Sequence, residues 1–250
     1  MGMKIAEIFY SIQGEGKLAG VPSVFVRVAG CNLRCVWCDT PYASWEPAGE
    51  EMTAGGIVAE VVKHPAGHVV VTGGEPMMFG DLPELIGRLK AAGKHVTVET
   101  AGTLWLEDLP VRAGERGIDL ASVSPKLLNS VPTEREGGRF AVMHERQREN
   151  LEVMKNFALG GGGVVKECQW KFVLAKPGDL GEVEDLLARL NGQLPASSRV
   201  VPKDVVLMPE GVDAATLTQR SRWLAELCKE KGYRMSLRLQ VYLWGNKRGT

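Results

Sequence analysis

The chain has 250 residues, and 30 Lys and Arg balance 30 Asp and Glu to a formal net charge of zero. That length holds one large α/β domain or two small ones, and the balanced charge lacks the broad basic footprint of a nucleic-acid binder. No apolar run approaches a membrane span, Met1 to Glu7 has no apolar signal segment and carries an acid early, and five cysteines without paired spacings fit a reducing cytoplasm.

Ile5 to Ile12 reads as a strand running into Gln13-Gly14-Glu15-Gly16-Lys17-Leu18-Ala19-Gly20. Gly14, Gly16 and Ala19 match the dinucleotide fingerprint, but that motif must open a helix. Here Pro22 and a β-branched run follow, so the glycines turn a hairpin or let backbone approach a ligand. In the next strand Val24, Val26 and Val28 share one face, and Phe25 and Arg27 the other. An inward Arg27 could fork a substrate carboxylate.

Four residues after Arg27 comes Cys31-Asn32-Leu33-Arg34-Cys35-Val36-Trp37-Cys38-Asp39-Thr40, a C-x₃-C-x₂-C spacing. One tight loop aims three thiolates at a point, one short of closing a zinc site or a four-cysteine cluster. A 4Fe–4S cubane held this way leaves one iron for a small molecule. The plainer alternative is a zinc knuckle with His64 or His68 as fourth ligand.

Residues 41–52 read as a loop, and Thr53 caps a helix with face Ile57, Val58, Val61 and Val62. The strand His68 to Thr72 ends in Gly73-Gly74-Glu75-Pro76, where free N–H groups and a carboxylate make a seat for an ammonium group. Asp81 heads a helix with face Leu82, Leu85, Ile86 and Leu89, stopped by Gly93. His95 to Thr100 is a strand with Glu99 at its end, and His95 reads as structural. Ile118 to Val123 is another strand, ending in Ser124-Pro125-Lys126. Residues 127–147 read as irregular, with a helix over about 148–158. Gly160 to Gly163 reads as a long surface loop, because the strand–helix rhythm then resumes: strand 169–175, helix 180–190, strand 205–208 with Pro209-Glu210-Gly211, helix 217–231 and a last strand 235–243. Cys168 and Cys228 read as small core residues.

Strands alternating with helices predict a mainly parallel sheet. The polar motifs each follow a strand, so they share one face, as in a β/α barrel. The expected fold is α/β, an open, partial TIM-like barrel of about six strands.

The cysteine triplet with Trp37 before its third member, and Gly73-Gly74-Glu75-Pro76 after the next helix and strand, resemble the signature of the radical S-adenosylmethionine (SAM) enzymes. Ile12-Gln13-Gly14-Glu15-Gly16, Arg27, Asp39-Thr40, Thr72, Ser124-Pro125-Lys126 and Trp244-Gly245-Asn246 extend the resemblance to the 7-carboxy-7-deazaguanine synthase family; residues 127–165 match poorly. The resemblance implies a single radical SAM domain over 1–250, with a C-terminal strand and tail, 236–250, near the active site. It implies ring contraction of 6-carboxy-5,6,7,8-tetrahydropterin to 7-carboxy-7-deazaguanine with release of ammonia, in queuosine and deazapurine biosynthesis. A 5′-deoxyadenosyl radical takes the hydrogen at C6 and later returns it, so no side chain is the catalyst.

By the same resemblance Cys31, Cys35 and Cys38 hold a 4Fe–4S cluster, and Trp37, Cys38, Asp39, Gly74, Glu75, Ser124, Pro125 and Lys126 bind SAM. Ile12, Gln13, Gly14, Arg27 and Thr72 meet the pterin, and Thr40 meets Mg²⁺. A homodimer in the cytoplasm, reduced by a flavodoxin or ferredoxin, is also implied, with no direct nucleic-acid or membrane partner. A glycyl-radical activating enzyme is the nearest rival, although the ferredoxin-type cysteine sets such enzymes often carry are missing from the sequence. A non-enzymatic zinc- or cluster-binding module is the rival of another class.

Overall fold

A computed structural model describes residues 2–109 and 117–250. The elements in chain order are β1 (Met3–Ile12), β2 (Pro22–Val28), α1 (Pro41–Ser44), β3 (Glu50–Met52), α2 (Ala54–Val61), β4 (His68–Gly73), α3 (Leu82–Ala91), β5 (His95–Thr100), β6 (Ile118–Val123), α4 (Ala141–Gln147), α5 (Leu151–Ala158), β7 (Val165–Leu174), α6 (Leu180–Asn191), β8 (Val205–Pro209), α7 (Ala214–Lys231), β9 (Arg234–Met235) and α8 (Leu239–Trp244). Among the described residues nine strands form one sheet, ordered β3-β1-β2-β4-β5-β6-β7-β8-β9. From β2 to β9 every neighbouring pair is parallel. The six longer parallel strands, β2 and β4 to β8, are the expected partial barrel. The antiparallel β1 and β3 extend one edge, and the two-residue β9 forms the other.

The period-2 alternation of each strand divides the molecule. Val24, Val26 and Val28 of β2, Val69 and Val71 of β4, Val96 and Val98 of β5, and Trp170, Phe172 and Leu174 of β7 face one continuous apolar core. Ile57, Val61, Leu85, Ile86, Leu89, Leu186, Leu187 and Leu190 of the outer helices complete it. Each such side chain contributes roughly 1.5–3 kcal/mol on full burial. The intervening residues, among them Phe25, Arg27, Thr72, Glu99, Ser122, Lys171 and Val173, line a cavity on the other face. Cys228 is buried in the apolar core, as expected, and Cys168 packs partly buried against it.

Several segments differ from the sequence expectation. The stretch read as a strand over 235–243 keeps only Arg234–Met235 as β9, then turns into α8. Its alternating apolar pattern is overridden because Arg238 and Gln240 both turn to Glu15, and the Leu239 amide donates to Gly14 O at 3.1 Å. The segment read as irregular over 127–147 contains α4, fastened by the fully buried His144. The helix expected from about 148 starts at Leu151, where the Asn150 side chain accepts from the Val153 amide. Its Met154 and Phe157 belong to the main core.

Gly160 to Gly163 form a tight turn into β7, which begins at Val165 rather than near 169. Gly161, at φ +54°, presses so closely on Trp105 that a Cβ would lie 2.3 Å from its ring. Residues 41–52, read as a loop, hold α1 and β3. Thr53 caps α2 through Gly56 N, as expected, whereas Asp81 begins α3 without a side-chain cap.

At the strands' amino ends, away from the cavity, His68 Nδ1 lies 2.6 Å from Ser23 Oγ, and its Nε2 lies 3.0 Å from Thr97 Oγ1. The His95 ring packs against it, tilted by 50°, with ring centroids 4.5 Å apart. Burial, and then His95, depress the His68 pKa from 6.5 to about 4. An imidazole kept neutral in the fold takes a proton on unfolding, so its stabilising effect is complete above its ordinary pKa and is lost as pH falls toward the folded value. The expected outcome is that His68→Gln reduces the loss of unfolding free energy between about pH 6.5 and 4 by up to about 1.4 kcal/mol per pH unit. Urea denaturation across that range, on both proteins, checks it.

Candidate active site

The cavity lies at the carboxyl ends of the parallel strands and has a volume of ≈ 1320 Å³, its open mouth included. Cys31, Cys35 and Cys38 line it beside Trp37, Asp39 and Thr40. Cys38 Sγ lies 3.1 Å from Ser44 Oγ and 3.8 Å from Thr40 Oγ1. The loop is held from outside by the segment around α4. His144 Nδ1 accepts from the Arg34 amide at 3.0 Å, Ser130 O accepts from the Val36 amide at 2.8 Å, and Trp37 Nε1 donates to Asn129 O at 3.0 Å. Residues 127–147 therefore brace the cysteine loop.

Burial pushes the Cys31 and Cys35 thiols up to about 12. A coordinated metal deprotonates such thiols outright, so this donor set fits a cationic cluster. Among the described residues, no three His, Cys, Asp or Glu side chains meet closely enough for one metal ion. His64 stacks on Tyr10, and His68 sits at the strands' opposite ends. Neither histidine completes the zinc knuckle considered from sequence.

Next to the cysteines the chain from β4 makes its closest approach. The Gly74 and Glu75 amides donate to Val28 O at 3.0 Å and Gly30 O at 2.8 Å. A Cβ on Gly74 would stand 1.8 Å from Gly30 O. Gly74 lines the cavity, but Glu75 does not: its carboxylate is fully buried and accepts from Thr100 Oγ1, the Ala101 amide and the Met77 amide at 2.7–3.1 Å. The side chain expected to meet an amino group is thus already satisfied underneath. Ser124 and Lys126 line the wall, with Lys126 Nζ donating to Ser124 Oγ at 2.9 Å, while Pro125 lies outside the lining.

The same cavity is lined by Ile12, Gln13, Gly14, Arg27 and Thr72. Arg27 Nε donates to Glu7 Oε1 at 2.6 Å, and Tyr42 Oη donates to the same oxygen at 2.8 Å. Burial would raise Glu7, but Arg27 outweighs it and holds the carboxyl below its usual range. Glu99 accepts from Thr72 Oγ1 at 2.8 Å and Gln13 Nε2 at 3.4 Å. Sequence reasoning missed Glu7, Lys171, Arg238 and Gln240 and left Glu15 without a role. Lys171 carried a readable signal, a lone lysine between Trp170 and Phe172 in a strand. Lys171 Nζ lies 2.6 Å from Glu15 and 3.6 Å from Glu99.

Comparison with known proteins agrees with this geometry. The model of the radical SAM superfamily matches residues 25–172, so the chain is a radical SAM protein. It is 45% identical to a 7-carboxy-7-deazaguanine synthase of Halobacterium salinarum, over 98% of this chain and 91% of that one. It is 39% identical to one of Rhodopirellula baltica, over 98% and 88%. The crystal structure of QueE from Escherichia coli superposes with a TM-score of 0.62 at 25% identity, covering 95% of this chain and 94% of that one. The chain belongs to the 7-carboxy-7-deazaguanine synthase family.

Gly74→Ala tests the close approach. It is expected to destabilise the protein by about 1–3 kcal/mol, because the Cβ meets backbone that cannot rotate away. The midpoint shift in urea denaturation measures this.

Proposed function

We propose that this chain contracts the ring of 6-carboxy-5,6,7,8-tetrahydropterin to 7-carboxy-7-deazaguanine with loss of ammonia. The observation that carries the reading is one cavity lined by both the three cysteines and Arg27. When bound, the reduced cluster and SAM together supply a 5′-deoxyadenosyl radical for hydrogen abstraction. Cys31, Cys35 and Cys38 would hold the cluster.

Trp37, Cys38 and Asp39 flank the SAM position. Ser124 and Lys126 offer a hydroxyl and an ammonium to its ribose and carboxylate, with Pro125 shaping the turn between them. Gly74 and Glu75 would meet its amino group through backbone carbonyl oxygens, since the Glu75 carboxylate and both amides are engaged elsewhere. Arg27, braced through Nε by Glu7, would present its two terminal nitrogens to the pterin carboxylate. Ile12, Gln13, Gly14 and Thr72 complete the pterin's walls. The protein's contribution is orientation and exclusion of water.

Thr40 supplies a hydroxyl for a magnesium ion that would take its remaining ligands from substrate and water. Among the described residues no helix is long and apolar enough to cross a membrane. We take the chain as one domain acting in the cytoplasm as a homodimer, with a flavodoxin or ferredoxin as reductant.

The test is an anaerobic assay of reconstituted, reduced protein with SAM and the carboxytetrahydropterin, read by mass. Deazapurine acid with little net SAM loss is expected. SAM cleaved to 5′-deoxyadenosine without that product would overturn the substrate. Two substitutions probe the ends of the cavity. Cys35→Ala is expected to abolish cluster assembly, seen as loss of bound iron and of the charge-transfer absorption. Arg27→Ala is expected to lower kcat/KM for the pterin about 10–100-fold, the value of a charge-assisted contact, while SAM affinity by calorimetry stays unchanged.

A further inference from the structure

The cavity's two ends are built on different loops. Gln13 to Gly16 belong to the hairpin between β1 and β2, on the substrate side. Asp39 follows the third cysteine, on the cofactor side. Nothing in their sequence separation fixes their distance. In the structure one side chain spans them. Arg238, only 7% exposed, donates Nε to Glu15 Oε1 at 3.2 Å and Nη1 to Gly211 O at 2.5 Å, and it pairs through Nη2 with Asp39 Oδ2. All three edges of the guanidinium face a different loop.

The anchorage on the hairpin side is itself rigid. Glu15 also takes Lys171 at 2.6 Å and Gln240 Nε2 at 2.9 Å. Burial would raise Glu15, but Lys171 and then Arg238 outweigh it and keep the carboxylate ionised. The Gly16 amide donates to Ser236 Oγ at 2.8 Å, two residues before Arg238. On the other side Asp39 has more freedom, being about a third exposed. The loop after Cys38 thus receives its constraint from Arg238.

We propose that Arg238 is a positioning residue that sets the distance and angle between the pterin and the SAM-derived radical, by tying the substrate hairpin to Asp39. The proposal rests on the ring-contraction reading above. Such a tie matters because a radical formed out of reach of C6 is quenched, and SAM is then consumed without product. A lysine cannot replace it: an ammonium on a flexible stem does not hold three acceptors in one plane.

The experiment uses full-length wild type, Arg238→Lys, Asp39→Asn and the double variant. Without SAM or pterin, hydrogen exchange in Arg238→Lys is expected to rise about tenfold in both loops, 13–16 and 37–40, with the sheet amides unchanged. In turnover the ratio of 5′-deoxyadenosine to deazapurine is expected to rise at least about tenfold in each single variant, and no further in the double, because both remove one tie. Faster exchange in only one loop overturns the proposal. So does a ratio that stays at the wild-type value while total turnover falls, the mark of simple destabilisation. Should Arg238→Lys not fold, Asp39→Asn, which leaves Glu15 its other partners, must raise the ratio by itself or the proposal falls. A wild type that cleaves SAM but makes no deazapurine overturns the ring-contraction reading, and the coupling proposal with it.

Discussion

The structure turns on the buried carboxylate of Glu15. It receives Lys171 from β7 and both Arg238 and Gln240 from the C-terminal segment. A carboxylate out of water is costly by several kcal/mol, and only well-placed cations and donors repay it. The three donors come from parts of the chain more than 150 residues away, so the charge is satisfied only when hairpin, sheet and C-terminal helix are all in place. The network specifies an arrangement more than it adds stability. It draws the hairpin across the barrel mouth and converts the chain's last stretch from the strand its pattern predicts into a helix.

A second constraint acts at the cysteine loop. The buried Cys31 and Cys35 thiols resist ionisation unless a cation compensates, which suits a site meant to be filled by a metal cluster. The segment 127–147 holds that loop through His144, Ser130 and Asn129, all by hydrogen bonds to backbone or indole rather than through the sulfurs.

Much of this was legible beforehand. The alternation of β2 placed Val24, Val26 and Val28 on one face and Arg27 on the other, and the strand-end positions of Thr72 and Glu99 put them at the cavity. The cysteine spacing marked the cofactor end, and the helices around Leu85 and Leu187 followed from their apolar faces. Less legible were elements whose form depends on remote partners. The tight turn at Gly160–Gly163 packs on Trp105, α4 hangs on a buried histidine, and α8 is shaped by Glu15. The Glu75 side chain is a subtler case. Its motif marked the right place, but the Thr100 hydroxyl and the Ala101 amide turn the carboxylate inward.

By itself the sequence determined the parallel α/β sheet, the face that carries the polar residues and the family of the chain, because periodicity and motif spacing are local properties. Only the tertiary structure decided which charges meet. The pairing of Lys171 with Glu15, of Arg27 with Glu7 and of Arg238 with Asp39 links residues far apart in the chain. An ion pair has no period and no spacing rule. It is chosen by where the folded backbone leaves a charge that must be neutralised.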